Sequence, residues 1–273
     1  MSNQHSAIGL FDSGIGGLSV LKQFVRFLPG ENFIYLGDTA RVPYGNRSRQ
    51  TVIEYSKQCT NFLLNQDVKL IVVACNTASS VALDVVQEMS GVPVIGMIKP
   101  AARAAILATQ NSKIGIIGTR ATVNSRAHQD EIHALAGDRE IEVFAKSCPL
   151  FVPLVEEGML HHNVTRQIAE EYLGEFEAHG IDTLVLGCTH YPLLRQLIGE
   201  ILPNVELIDP GELAAIKAIR LLAENGLLAD DAKVIGNQPN ADFYVTDIPD
   251  TFFDIANIFL GFPVRKPQKV DLE

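Results

Sequence analysis

The chain has 273 residues, enough for one large core or two modest ones, and is 47% hydrophobic and 20% charged, an ordinary globular balance. A formal charge of −10 argues against a nucleic-acid or anionic-membrane surface, since either needs clustered Lys and Arg, and an anionic ligand is expected to be drawn locally by N–H groups and hydroxyls rather than by a basic field. No stretch is apolar for long enough to span a bilayer, and the first residues lack a basic-then-apolar leader. Four cysteines without a CxxC spacing indicate a reduced, cytoplasmic chain.

Short apolar runs alternate with helix-period segments nearly from end to end, the signature of parallel sheets built from strand–helix–strand units. Strands are expected at Ala7–Phe11, Phe33–Leu36, Leu70–Ala74, Val92–Met97, Lys113–Ile117, Ile141–Ala145, Thr183–Gly187 and Val205–Ile208, with one more at Asp242–Val245. Helices are expected at Leu18–Phe27, Arg49–Asn65, Ala78–Met89, Ala101–Ala108, Ala121–Leu135, Thr165–Ala178, Leu193–Ile201, Glu212–Glu224 and Phe252–Phe259. Two α/β domains fit this pattern better than one wide sheet. Pro and Gly interrupt it near Lys99-Pro100 and Asp209-Pro210-Gly211, giving 1–99 plus 210–273 as one domain and 100–209 as the other.

In chain order, the first strand ends in Asp12-Ser13-Gly14-Ile15-Gly16-Gly17, glycines that let backbone N–H groups face an anion at a helix start. A dinucleotide site is the competing reading, with Asp38 as ribose acid. Against it, the third glycine of the fingerprint falls on Ser19, and Asp12 puts an acid where pyrophosphate would lie. The second strand enters a long Pro- and Gly-bearing loop, Gly37 to Gly45, in which Tyr44 either faces a ligand or packs with its hydroxyl wet. Leu-Ile-Val-Val-Ala then delivers Cys75-Asn76-Thr77, and Thr-Leu-Val-Leu-Gly delivers Cys188-Thr189-His190. Each puts a thiol, followed by side chains able to donate hydrogen bonds, at a strand end before a helix, where open α/β sheets keep their ligands. Thr119 and Thr122 lie at another such turn, as helix caps or anion donors. Glu156-Glu157 closes the apolar segment from Cys148, either as a solvated helix end or with one carboxylate near a dry pocket. Cys59 and Cys148 read as packing residues, and His5, His128, His133, His161, His162 and His179 as solvated or helix-surface residues. No HExxH or paired Cys/His spacing suggests a metal. One buried Cys would mean little; the matched pair suggests proton transfer from two sides.

These residues resemble the bacterial glutamate racemases, of the cofactor-independent aspartate/glutamate racemase superfamily, over essentially the whole length. The resemblance is carried by Phe11-Asp-Ser-Gly-Ile-Gly-Gly-Leu18, Gly37-Asp-Thr-Ala-Arg-Val-Pro-Tyr-Gly45, Ala74-Cys-Asn-Thr-Ala78 and Gly187-Cys-Thr-His-Tyr-Pro192. It implies two parallel-sheet α/β domains related by pseudo-twofold symmetry, with the active site in the cleft between them. It implies interconversion of L- and D-glutamate without cofactor, supplying D-glutamate for peptidoglycan, in a homodimer; that neither metal, nucleic acid nor membrane is a partner is the expectation from spacing, charge and hydropathy. Carried onto this chain, Cys75 and Cys188 become the acid/base pair, assisted by Asp12, Glu156 and His190. Ser13, Tyr44, Gly45, Asn76, Thr77 and Thr189 hold substrate, joined by Asp12, Thr119, Thr122 and His190. A relative acting on aspartate or a hydantoin would share the two cysteines. A dehydrogenase-like nucleotide module and a thiol redox sensor are the alternatives from other classes.

Overall fold

The computed structural model of the chain describes residues 3–229, 240–250, 252–261 and 264–272. Among these the strands, in chain order, are β1 (Ile8–Asp12), β2 (Asn32–Gly37), β3 (Leu70–Val73), β4 (Val94–Gly96), β5 (Lys113–Gly118), β6 (Glu142–Ser147), β7 (Thr183–Gly187), β8 (Glu206–Ile208), β9 (Asn240–Val245) and β10 (Gln268–Lys269). They form two all-parallel sheets, ordered β10-β9-β2-β1-β3-β4 and β6-β5-β7-β8. The central strands β1, β3 and β7 are buried along their whole length, and parallel sheets covered on both faces require such unbroken apolar runs. Each sheet with its helices is one α/β domain.

The first crossover helix is α1 (Leu18–Phe27), followed by α2 (Arg49–Leu64), then α3 (Asn76–Val81) and α4 (Leu83–Ser90). The single helix expected over Ala78–Met89 is thus two, bent at Ala82, whose φ of −123° is not helical. Backbone bonds from Ala82 to Ala78 and from Val86 to Ala82 carry the ladder through the bend. The chain passes to the second sheet through α5 (Ile98–Ala108) and reaches α6 (Arg120–Ser125) and α7 (Ala127–Ala136). Here too one expected helix, Ala121–Leu135, is broken. Arg126 adopts a left-handed φ of +59°, which redirects the chain so that α7 packs on α5.

The segment after β6 contains α8 (Phe151–Glu156), followed by α9 (Asn163–His179). Past β7 a tight 3-10 turn, Tyr191–Leu194, precedes α10 (Arg195–Ile201). The return runs through α11 (Pro210–Glu224), and α12 (Phe252–Leu260) lies between β9 and β10. Pro100 and Pro210, read as interruptions, instead sit in the first turns of α5 and α11, where a missing N–H removes no helical bond. Helix α1 packs on both α11 and α12. The main core runs continuously from Leu10 and Val72 of the first sheet to Leu184 and Leu186 of the second. No helix among the described residues is long and apolar enough to cross a membrane.

Candidate active site

The parallel sheets aim the carboxyl ends of β1, β2, β3, β5, β6 and β7 at one cavity of about 370 Å³. Its lining includes Ser13, Tyr44, Gly45, Cys75, Asn76 and Thr77 from the first domain and Thr119, Glu156, Cys188, Thr189 and His190 from the second. Eleven of the sequence-derived candidates are therefore together; Asp12 and Thr122, both 1% exposed, stand behind that lining. Gly187 makes the second thiol's approach possible, because a Cβ there would lie 2.7 Å from the Ile117 carbonyl oxygen of the neighbouring strand.

On the first side, Cys75 precedes α3 and its Sγ–H donates to Ser13 Oγ at 3.7 Å. A helix start normally favours thiolate. Desolvation and the nearby Asp12 carboxylate outweigh the Ala78 N–H and Ser13 hydroxyl, pushing the Cys75 thiol up to about 12. Burial also raises Asp12 above the usual carboxylate range, against the opposing pull of His190 and of backbone N–H groups at Gly17, Gly14 and Ser13. A carboxylate held that way accepts a proton more readily than an exposed one.

The second side is a chain of three groups. His190 Nδ1 faces Cys188 Sγ at 3.8 Å, and Nε2 lies 2.9 Å from Glu156 Oε1. Burial opposes a charge on His190, yet its bonds to Cys188 and Glu156 prevail and raise it well above the ordinary imidazole range. The ring is also braced edge-on by Phe259 of α12, centroids 5.2 Å apart. The apolar wall comprises Val42, Pro43, Pro149, Val152 and Pro153.

The hydroxyl of Tyr44 is not wet. It donates to Asp38 at 2.5 Å, and Asp38, fully buried, also receives Arg41 and Thr246. Asp38 is thereby the anchor of the 38–46 loop rather than a ribose acid. His128 is likewise corrected: it is 1% exposed, not solvated, because the turn at Arg126 rolls it inward beneath Gly187. Thr77 Oγ1 lies 2.9 Å from Thr119 Oγ1 and 3.2 Å from Thr122 Oγ1, so all three threonines form one cluster across the domains. Asn76 Oδ1 and Asp12 Oδ1 are buried acceptors without a hydrogen-bond partner among the described residues. Among those residues no group of three or more His, Cys, Asp or Glu is placed to hold a metal ion.

Sequence reasoning missed three positions that shape the site. Ser19, noted only for spoiling a glycine fingerprint, donates its hydroxyl to the Thr189 carbonyl at 2.6 Å. Gly16 is where His190 seats: a Cβ there would collide with the His190 ring and the Thr189 hydroxyl. The glycine cluster was its signal, but the ring that needs it lies far away in sequence. Phe259 carried no local signal.

The Asp/Glu/Hydantoin racemase family model matches residues 8–218 of the chain. The glutamate racemase of Geobacter metallireducens is 45% identical over 98% of this chain and 97% of that protein. That of Chlorobaculum tepidum is 48% identical over 94% and 93%. The crystal structure of the Francisella tularensis glutamate racemase in complex with D-glutamate superposes with a TM-score of 0.90 at 40% identity, covering 99% of both chains.

Proposed function

The chain belongs to the Asp/Glu/Hydantoin racemase family, and from that premise we propose that it interconverts L- and D-glutamate by two-cysteine proton transfer, without cofactor, supplying D-glutamate for peptidoglycan. The observation that supports this reading is that Cys75 and Cys188 line a single cavity from different sheets. Inverting an α-carbon means removing hydrogen from one face and returning it on the other. Two opposed groups accomplish this without either crossing the substrate.

The two sides suit different starting states. An imidazolium at His190, sustained by Glu156, is a fitting hydrogen-bond partner for a Cys188 thiolate, which takes the α-hydrogen. Cys75, neutral because its thiol is pushed up to about 12, gives its hydrogen to the opposite face. The product leaves Cys188 as thiol and Cys75 as thiolate. For the opposite enantiomer the roles exchange: Asp12 accepts the Cys75 proton beforehand, and the His190 imidazolium gives its Nδ1 proton to the Cys188 thiolate. Acid–base positioning contributes about 10²–10⁴-fold, too little for so weak a carbon acid. The remainder comes from hydroxyl donors at Ser13, Thr77, Thr119 and Thr189 on the developing charge, in a cavity walled by apolar side chains. Asn76 Oδ1, in the cavity lining, is an acceptor suited to the substrate ammonium. We take 99/100 and 209/210 as the limits between the halves that close on it.

The test is incubation with L-glutamate in deuterated water without added cofactor. Optical activity should decay to zero, with one deuterium at the α-carbon of the D-product and L-aspartate left unchanged. If neither amino acid loses its signal, the reading ends; preferential racemisation of aspartate would move the chain to the aspartate branch.

A further inference from the structure

A second cavity, of about 400 Å³, adjoins the first. Thr77 lines both, and its hydroxyl cluster with Thr119 and Thr122 is the partition between them. The second cavity is lined by Arg47, Arg49, Asn124 and Ser125 with a few apolar side chains, and by no carboxylate. Arg47 and Arg49 are exposed, and neither side chain has an ion-pair or hydrogen-bond partner among the described residues. Two unpaired neighbouring guanidiniums stand out in a chain with 32 acidic against 22 basic residues. The 3-10 turn Tyr44–Asn46 packs on α6, so the cavities flank that contact. Arg120, exposed and also without a partner among the described residues, stands on the catalytic side of it.

A guanidinium presents a planar fork of donors that matches a carboxylate or phosphate. We propose that the second cavity is an anion-docking site in which Arg47 and Arg49 hold a carboxylate of the incoming substrate, with Arg120 receiving it at the catalytic rim. The identity of the carboxylate rests on the racemase reading; the anion site does not. Such local fields raise the encounter of a charged ligand by 10-fold or more and fade with salt, while leaving the chemical step alone.

The experiment compares wild type with R47Q/R49Q and R47K/R49K, with unfolding midpoints verifying that each variant folds. At low ionic strength KM for glutamate should rise by about fivefold in the Gln pair, with kcat within twofold, and the Lys pair, which keeps the charge but loses the planar fork, should fall between the Gln pair and wild type. In 1 M salt, where the screening length is about 3 Å, the difference should collapse. Calorimetric titration with inorganic phosphate needs no turnover and should detect binding in wild type that the Gln pair loses. An unchanged KM, a rise that ignores salt, or equal phosphate affinity in the two proteins would overturn the proposal. Phosphate bound through Arg47 and Arg49 by a chain that racemises nothing would sink the racemase reading and keep the anion site.

Discussion

At the scale of single residues, the two thiols differ in what they can do at rest. Cys75 has a hydroxyl and a buried carboxyl for neighbours; Cys188 has an imidazole tied to Glu156. The enantiomers are equal in free energy, so the equilibrium constant is one and kcat/KM must be the same in both directions. The asymmetry can appear only in kcat and KM taken separately. Cys75→Ser and Cys188→Ser should each lower racemisation by at least about 10²-fold, the scale of a lost acid or base. His190→Asn should lower kcat/KM equally for L- and D-glutamate but change the two kcat values by different factors. His190 is held charged far above neutrality, so wild-type activity should persist well above pH 7 and fall only as that proton leaves. The Asn variant should lack this alkaline limb. Initial rates in both directions across the pH range decide the matter, and equal kcat losses would contradict the assigned roles.

At the scale of elements, α7 carries a liability of its own. His128 is buried by the turn at Arg126, and neither ring nitrogen has a hydrogen-bond partner among the described residues. Burial lowers its pKa from 6.5 to about 4. The sign follows directly: the unfolded chain binds this proton first, so the stability is intact above pH 6.5 and is lost as pH falls toward 4. The gap of 6.5 − 4 corresponds to about 3 kcal/mol in full, and about 2 kcal/mol between pH 7 and pH 5. Urea unfolding at those two pH values should show that loss in wild type and a much flatter response in His128→Phe. Asp12 and Asp209, raised by burial, act with the opposite sign, but both proteins carry them and they cancel in the comparison. Parallel slopes for the two proteins would refute the account.

The same element shows what the sequence could carry. The strands before Cys75 and Cys188 are local patterns of apolar residues, so the thiols and their place at the sheet edge were legible. The burial of His128 depends on one left-handed residue, Arg126, which no apolar period encodes. The hydroxyl of Tyr44 finds Asp38 only because the 38–46 loop folds back on itself. Phe259 reaches His190 from the far end of the chain. Periodicity reports neighbours along an element, whereas each of these contacts is set by how elements are stacked.

At the scale of the whole molecule, the site exists because two domains are pinned together around it. His190 and Thr189 of the second seat on Gly16 of the first, Ser19 holds the Thr189 carbonyl, and a Cβ on Gly45 would come within 2.9 Å of Thr119. Gly16→Ala tests whether that seating governs turnover. The added methyl must displace the imidazole, the threonine hydroxyl or the glycine loop, and overpacking of this kind costs about 1–3 kcal/mol. A shift of about 1 Å at His190 breaks its alignment with both Cys188 and Glu156, and misplacement of that size lowers rates by about 10²-fold. Gly174→Ala is the matched control. It lies inside α9, and an added Cβ there meets nothing within 4 Å. It should raise stability by about 0.5–1 kcal/mol through helix propensity and leave the rate untouched. Unfolding midpoints and kcat/KM measured side by side separate the two effects. A Gly16→Ala protein with wild-type turnover would mean that the close approach of the loop to His190 is packing alone, and that the ring is positioned by Glu156 and Phe259 without help from the first domain's glycine turn.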